Sequence, residues 1–234
     1  MWNRFHPPGK VIQVRGVSGN IKRERFSALQ DSGLQRLRAD LNRIRTRTKT
    51  PRWSLAHLAG RLCELSSGSG AGLLTAAFRL VLDAQLGHEP VAWITATPDT
   101  FFAPDAAENG VDLNALVVIH VPDAQSAARS ADRLLRSGAF GLIVMDLHAD
   151  PAIPFPLQAR LAHLARAHDT ALLCLTSKSR ETPSLGPMVC LRGLSSCRRM
   201  GVDRFQYDIE ILKDRRHGPG WRHTEICRGP DGLH

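Results

Sequence analysis

Five short, almost entirely apolar runs separated by helical patterns constrain this chain more than any other feature. The runs are Leu62–Leu65, Val91–Ala96, Leu116–Val121, Gly141–Asp146 and Ala171–Thr176. Between them, helical spacing recurs over Gly72–Leu86, Pro122–Ser137 and Phe155–His168, with a shorter piece around Pro104–Asn109. A strand that is apolar on both faces has to be covered on both, and alternating crossover helices provide that cover. The pattern predicts an α/β fold built on a mostly parallel sheet with flanking helices and right-handed crossovers.

The pattern changes after Thr176. Residues 177–187 are polar and read as a loop of about ten residues. Met188–Arg192 and Phe205–Lys213 read as strands joined through residues 195–201. Tyr207, Ile209 and Ile211 alternate with Asp208, Glu210 and Leu212, which suits antiparallel strands at the C-terminal edge of the sheet. From Asp214 the chain is rich in Gly, Pro, Arg and His, and only partial order is expected there.

At the other end, residues 1–28 read as a polar, basic arm. Leu34, Leu37, Leu41 and Ile44 then recur at spacings of three and four, with Arg36, Arg38, Arg43 and Arg45 on the other faces. This predicts an N-terminal amphipathic basic helix whose stripe packs on its own domain or docks on another protein. The organisation expected is a basic arm and helix over 1–53, a core over 54–213 and a basic tail over 214–234.

Charge follows the same division. The formal net charge is +9, yet residues 10–53 hold 12 Lys/Arg against 3 Asp/Glu, while residues 64–177 hold 6 against 12. Basic ends on an acidic centre suit a polyanion or an acidic partner, or are simply solvated. The 5 cysteines form no CxxC pair and read as free thiols in a reducing compartment. No apolar run approaches the roughly 20 residues of a membrane-spanning helix. The N-terminus lacks the apolar centre of a signal peptide, so a cytoplasmic location is expected.

Ligands of such sheets bind beyond the carboxyl ends of the strands. The first strand runs into a glycine-rich turn, Ser67-Gly68-Ser69-Gly70-Ala71-Gly72, and then into the helix opened by Leu73 and Leu74. A phosphate loop has this layout, with a Lys reaching the phosphates and a Ser/Thr hydroxyl holding Mg²⁺. Here Leu73 and Leu74 stand in those two places, so the backbone form is kept without its charge chemistry. The second strand ends in Thr95 and Thr97, without a carboxylate base. The fourth ends in Asp146, which either positions Mg²⁺ or caps a turn. His148 with Asp150, and His120, lack a third metal ligand. No nucleophile–histidine–acid set has supporting spacing.

These motifs, in this order, resemble the RecA recombinase core from Glu64 to about Ile226, in the divergent form of the ImuA family. The phosphate loop E-I-Y-G-P-E-S-S-G-K-T-T aligns without gaps on Glu64–Thr75. The run Gly110-Val111-Asp112-Leu113-Asn114-Ala115-Leu116 resembles G-V-D-I-D-N-L. Arg136-Ser137-Gly138-Ala139 followed by Leu142–Asp146 resembles R-S-G-A and the Walker B strand. Thr97 falls on the catalytic glutamate, Lys178–Gly186 on a DNA-facing loop, and Ile211–Arg215 on V-V-K-N-K, which reaches the neighbouring subunit's nucleotide. Residues 218–229 resemble an ImuA-type tail.

The resemblance implies a RecA-like fold without cofactor or catalysis, in an accessory protein of damage-induced translesion synthesis. Its implied partners are an ImuB-like protein, an error-prone DNA polymerase and RecA itself, with self-association also open. The stripe Leu34, Leu37, Leu41 and Ile44 is the candidate partner contact. Lys178, Arg180, Lys213, Arg215 and Arg216 are candidates for weak, non-specific DNA binding or for an interface. Two alternatives belong to other classes: a DNA-dependent ATPase with an atypical phosphate loop, and a DNA-binding module that works through its basic ends.

Overall fold

Each apolar run becomes a strand; β1, β2, β4 and β5 are buried on both faces of one sheet, whereas β3, at its edge, keeps only Leu116 buried. The computed structural model describes residues 51–67, 72–96, 101–148 and 151–228. Strands β1 (Leu62–Ser66), β2 (Val91–Thr95), β3 (Leu116–His120), β4 (Leu142–His148) and β5 (Ala171–Thr176) are mutually parallel. Strands β6 (Leu191–Arg199), β7 (Arg204–Asp214) and β8 (Arg222–Arg228) complete an eight-stranded sheet in the order β3-β2-β4-β5-β1-β6-β7-β8. β6 runs parallel to β1, and β7 and β8 add antiparallel to that edge. The fold is thus a mixed α/β sheet, mostly parallel, with an antiparallel C-terminal edge.

Helices cover both faces. On one side lie α1 (Leu55–Leu58) and α2 (Leu73–Leu86), whose Leu58, Phe78, Leu80 and Val81 share a core with Leu65, Trp93, Leu173, Tyr207 and Ile209. The Leu55 N–H donates to Asp83 Oδ2 at 2.7 Å and so ties α1 to α2. The short α3 (Ala103–Glu108) adds Ala106 to this core. On the other side, α4 (Ala124–Ser137) and α5 (Phe155–Ala167) pack Ala127, Ala131, Leu135 and Leu161 over Leu62, Ile94, Ile143 and Leu172. Asp132 on α4 pairs with Arg160 on α5 at 2.6 Å. The start of α4 is capped by Asp123, which accepts from the Ser126 N–H at 2.6 Å. Its end turns through Gly138 at φ +65°, a conformation that favours glycine.

Three expectations change at the C-terminal end. β6 begins at Leu191 rather than Met188 and continues to Arg199, well past the expected end at Arg192. Its polar outer half is a strand because it pairs with β7 from Ser195↔Ile209 to Arg199↔Phe205. Residues 222–228, expected within a partly ordered tail, form β8, paired with β7 from Arg204↔Arg228 to Glu210↔Arg222. The predicted arm and the amphipathic helix with Leu34, Leu37, Leu41 and Ile44 lie outside the described residues. Among the described residues, no helix is long and apolar enough to cross a membrane.

Candidate functional site

The strand–turn–helix that opens the core has the layout of a phosphate loop, with β1 leading towards the start of α2. Gly72 closes the turn at φ +76° and leads directly into Leu73. A β-carbon on Gly72 would stand 3.1 Å from Cys197 Cβ and 3.1 Å from Ser195 Oγ, so β6 passes directly against the end of the turn. Leu73 is 2% exposed and belongs to the core, and Leu74 packs partly buried against it. Ser67 is buried, and its N–H donates to Thr176 O at 3.2 Å. Gly68 and Gly70 lie outside the described residues, as do Thr97 and Asp150.

These residues do not fit a magnesium–triphosphate. The position for the phosphate-reaching cation holds an alkyl side chain inside the core. The position for the Mg²⁺ hydroxyl holds a second one, and no charged group occupies the first turn of α2. Asp146 keeps its place near the end of β4, fully buried and in register with Thr95 and Leu175.

Next to this turn lies a buried polar lock that residue spacing does not reveal. The Glu64 carboxylate, on β1, is wholly buried. It accepts hydrogen bonds from Thr176 Oγ1 at 3.0 Å and from the Leu185 N–H at 2.9 Å. Arg192 Nε stands 3.9 Å from it. The same guanidinium donates to Thr182 O at 2.6 Å and to Ser179 O at 2.8 Å. Gln158 on α5 holds Leu185 O at 3.1 Å. Loop 177–187 is therefore fastened to the body by groups from β1, β6 and α5.

That fastening changes the reading of Lys178. Expected as a cation on a DNA-facing loop, it is buried and donates from Nζ to Pro183 O at 3.3 Å. Arg180 is more open but paired with Glu210 on β7, and this hydrogen bond holds the Glu210 carboxyl below the usual range. Arg222 also reaches Glu210, at 3.3 Å. Lys213 is half-buried opposite Arg192 in the β6–β7 pairing. Burial first, then the charge of Arg215, lowers its pKa. Arg215 and Arg216 are exposed, and Arg215 Nη2 donates to Pro187 O at 2.5 Å.

A second buried polar centre lies where β7 ends. Arg61 Nη2 meets Asp214 Oδ1 at 2.5 Å, and the Arg216 N–H donates to the same oxygen at 2.8 Å. Burial pushes the Asp214 carboxyl up, but these donors outweigh it and hold it at about 2. Burial, with His217 and Arg61 adding to it, lowers the neighbouring His57 to about 4. The five cysteines are free, and burial raises Cys63 to about 12.

Comparison with known proteins bears on the fold. No family model matches the chain. Over 88 residues, 37% of its length, it is 40% identical to protein RecA of Nocardioides sp. (strain ATCC BAA-499 / JS614). Over stretches of the same length it is 38% identical to protein RecA of Kineococcus radiotolerans and 36% identical to that of Nocardia farcinica. The chain spans 25% of the length of each of these relatives. Among solved structures, flagellar accessory protein FlaH from Methanocaldococcus jannaschii superposes with a TM-score of 0.53 at 13% identity. That match covers 73% of this chain and 85% of FlaH, and shows the shared fold. The fold and the partial sequence likeness together support a place for this chain in the RecA superfamily.

Proposed function

We propose that this protein is a non-catalytic, RecA-like accessory protein of damage-induced translesion synthesis, working in the cytoplasm as an adaptor. Its partners in this reading are an ImuB-like protein, an error-prone DNA polymerase and RecA. The observation that carries the reading is the burial of Leu73, 2% exposed, where a phosphate loop presents its lysine. A core leucine cannot compensate the charge of a triphosphate, and losing a charge-assisted contact of this kind costs roughly 1.5–3 kcal/mol or more. Leu74 removes the metal-binding hydroxyl as well, and phosphoryl transfer depends on such positioned charges. A scaffold that keeps the fold without this chemistry acts through its surfaces. The stripe Leu34, Leu37, Leu41 and Ile44 is assigned the contact with a partner or a second copy. The Lys/Arg-rich N-terminal segment is assigned any weak DNA binding.

The test joins an ATPase assay, with and without single-stranded DNA, to pull-downs against the three partners. No hydrolysis is expected, together with partner capture that weakens when residues 1–50 are deleted. A DNA-stimulated hydrolysis that disappears in Asp146→Ala would overturn the adaptor reading in favour of an ATPase. Capture and solution mass unchanged by the deletion would remove the N-terminal stripe from the interface.

A further inference from the structure

His57 belongs to α1, whereas Asp214 and His217 lie 157 residues and more further along, where β7 ends. Their ligand atoms nevertheless converge: His57 Nε2, Asp214 Oδ2 and His217 Nδ1 all lie within 4.8 Å of one another. His217 Nδ1 is 3.2 Å from Asp214 Oδ2, and His57 Nε2 is 3.8 Å from it. The latter separation is too long for a hydrogen bond. His57 Nε2 is nevertheless buried and makes no hydrogen bond among the described residues. A buried imidazole nitrogen without a donor or acceptor is costly and calls for an explanation.

We propose that His57, Asp214 and His217 form a binding site for a divalent transition metal ion of the zinc class. Two imidazoles and a carboxylate are a borderline-soft donor set suited to zinc. Ligands at about 2.0–2.1 Å from a tetrahedral zinc stand about 3.4 Å from one another, so the 3.2 and 3.8 Å separations from Asp214 Oδ2 need little change, while the two imidazole nitrogens, within 4.8 Å of each other, draw closer around the ion. The metal would satisfy the orphaned His57 Nε2. Arg61 and the Arg216 N–H both hold Oδ1, which leaves Oδ2 turned towards the two imidazoles. Partners of this kind orient a metal-ligating carboxylate from outside the coordination shell. The Trp221 indole N–H donates to Oδ2 at 3.2 Å and takes one of its lone pairs, leaving another for the ion. The positive charges of Arg61 and Arg216 lower the affinity relative to a purely acidic site. The bound ion clasps the first helix of the core to the turn between β7 and β8.

The full chain, stripped with a chelator and dialysed, is titrated with Zn²⁺ against a chromophoric competitor and with Co²⁺ by visible absorption. One equivalent per chain is expected, with a tetrahedral-type Co²⁺ spectrum and a Tm that rises with Zn²⁺. His217 sits at an exposed position, so His217→Ala keeps the core intact. It should weaken binding at least about tenfold and remove the Tm rise. His57→Gln should do the same and controls for effects confined to the turn. Saturable binding that His217→Ala leaves unchanged, or no saturable binding by the parent chain, overturns the proposal.

Discussion

The carboxylate of Glu64 accepts the backbone N–H of Leu185 at 2.9 Å, across 121 residues of chain. It also takes the Thr176 hydroxyl and faces Arg192, so one side chain on β1 holds both β5 and the loop that follows it. Removing it in Glu64→Ala leaves the buried Leu185 N–H and Thr176 hydroxyl without their acceptor and the buried Arg192 guanidinium without its counter-charge. A loss of about 3 kcal/mol or more is expected. Glu64→Gln keeps one oxygen and should lose less. Urea denaturation midpoints decide the matter. An unshifted midpoint in Glu64→Ala would mean that residues 177–187 are held by other contacts.

The start of α2 makes a graded prediction. Leu73→Ala opens a cavity in the core and should cost about 2–5 kcal/mol. Leu74, only partly buried, should cost clearly less on the same change. Gly72→Ala forces a side chain into the left-handed region, at about 1–2 kcal/mol, and presses it against Cys197 and Ser195. Equal losses for Leu73→Ala and Leu74→Ala would contradict the burial order described for the pair.

Cys63 predicts a response to alkali. Burial disfavours its thiolate and raises its pKa from 9.0 to about 12. A raised folded-state pKa means that the unfolded chain ionises first. The stabilising contribution is therefore complete below pH 9 and declines as pH rises towards 12. Cys63→Ala should flatten that part of the stability profile. In the native protein near neutral pH, a thiol reagent should spare buried Cys63 and Cys174 while reaching the half-buried Cys190, Cys197 and Cys227. Early modification of Cys63, mapped by mass spectrometry, would contradict the buried position.

DNA affinity and the 177–187 loop should be separable. Lys178 is inside and hydrogen-bonded, so Lys178→Ala should lower stability by about 1–3 kcal/mol. It should leave the salt dependence of single-stranded DNA binding unchanged. Deleting residues 1–50 should reduce that salt slope, because phosphate contacts release counterions in proportion to their number. Fluorescence anisotropy at several salt concentrations gives the slope. A flatter slope in Lys178→Ala would restore this lysine as a DNA contact.

The central parallel strands were legible because burial on both faces leaves an uninterrupted apolar run, as in Val91–Thr95 and Ala171–Thr176. The outer half of β6 was not, since Arg198 and Arg199 are strand residues only through their pairing with Gln206 and Phe205. β8 alternates exposed and half-buried positions and carries little apolar signal. Leu73 could be read as a departure from the phosphate-loop pattern, and the structure adds that its side chain is in the core. The lock of Glu64 and Arg192, 128 residues apart, had no local signature. Lys178 looked like a loop cation for the same reason, because its burial depends on how distant segments hold the loop down. The convergence of His57 with Asp214 and His217 likewise arises only from the fold.

The position of β1 governs the order in which the molecule can be assembled. β1 is the first strand of the sheet along the chain, yet its two neighbours, β5 and β6, pair with it through residues 172–176 and 191–194. Strands β2 and β3 can pair early, whereas β1 has to wait, without either neighbour, until more than 100 further residues have been synthesised. During translation the segment at most risk of wrong pairing is therefore Leu62–Ser66, and the core can close only after β6 has left the ribosome.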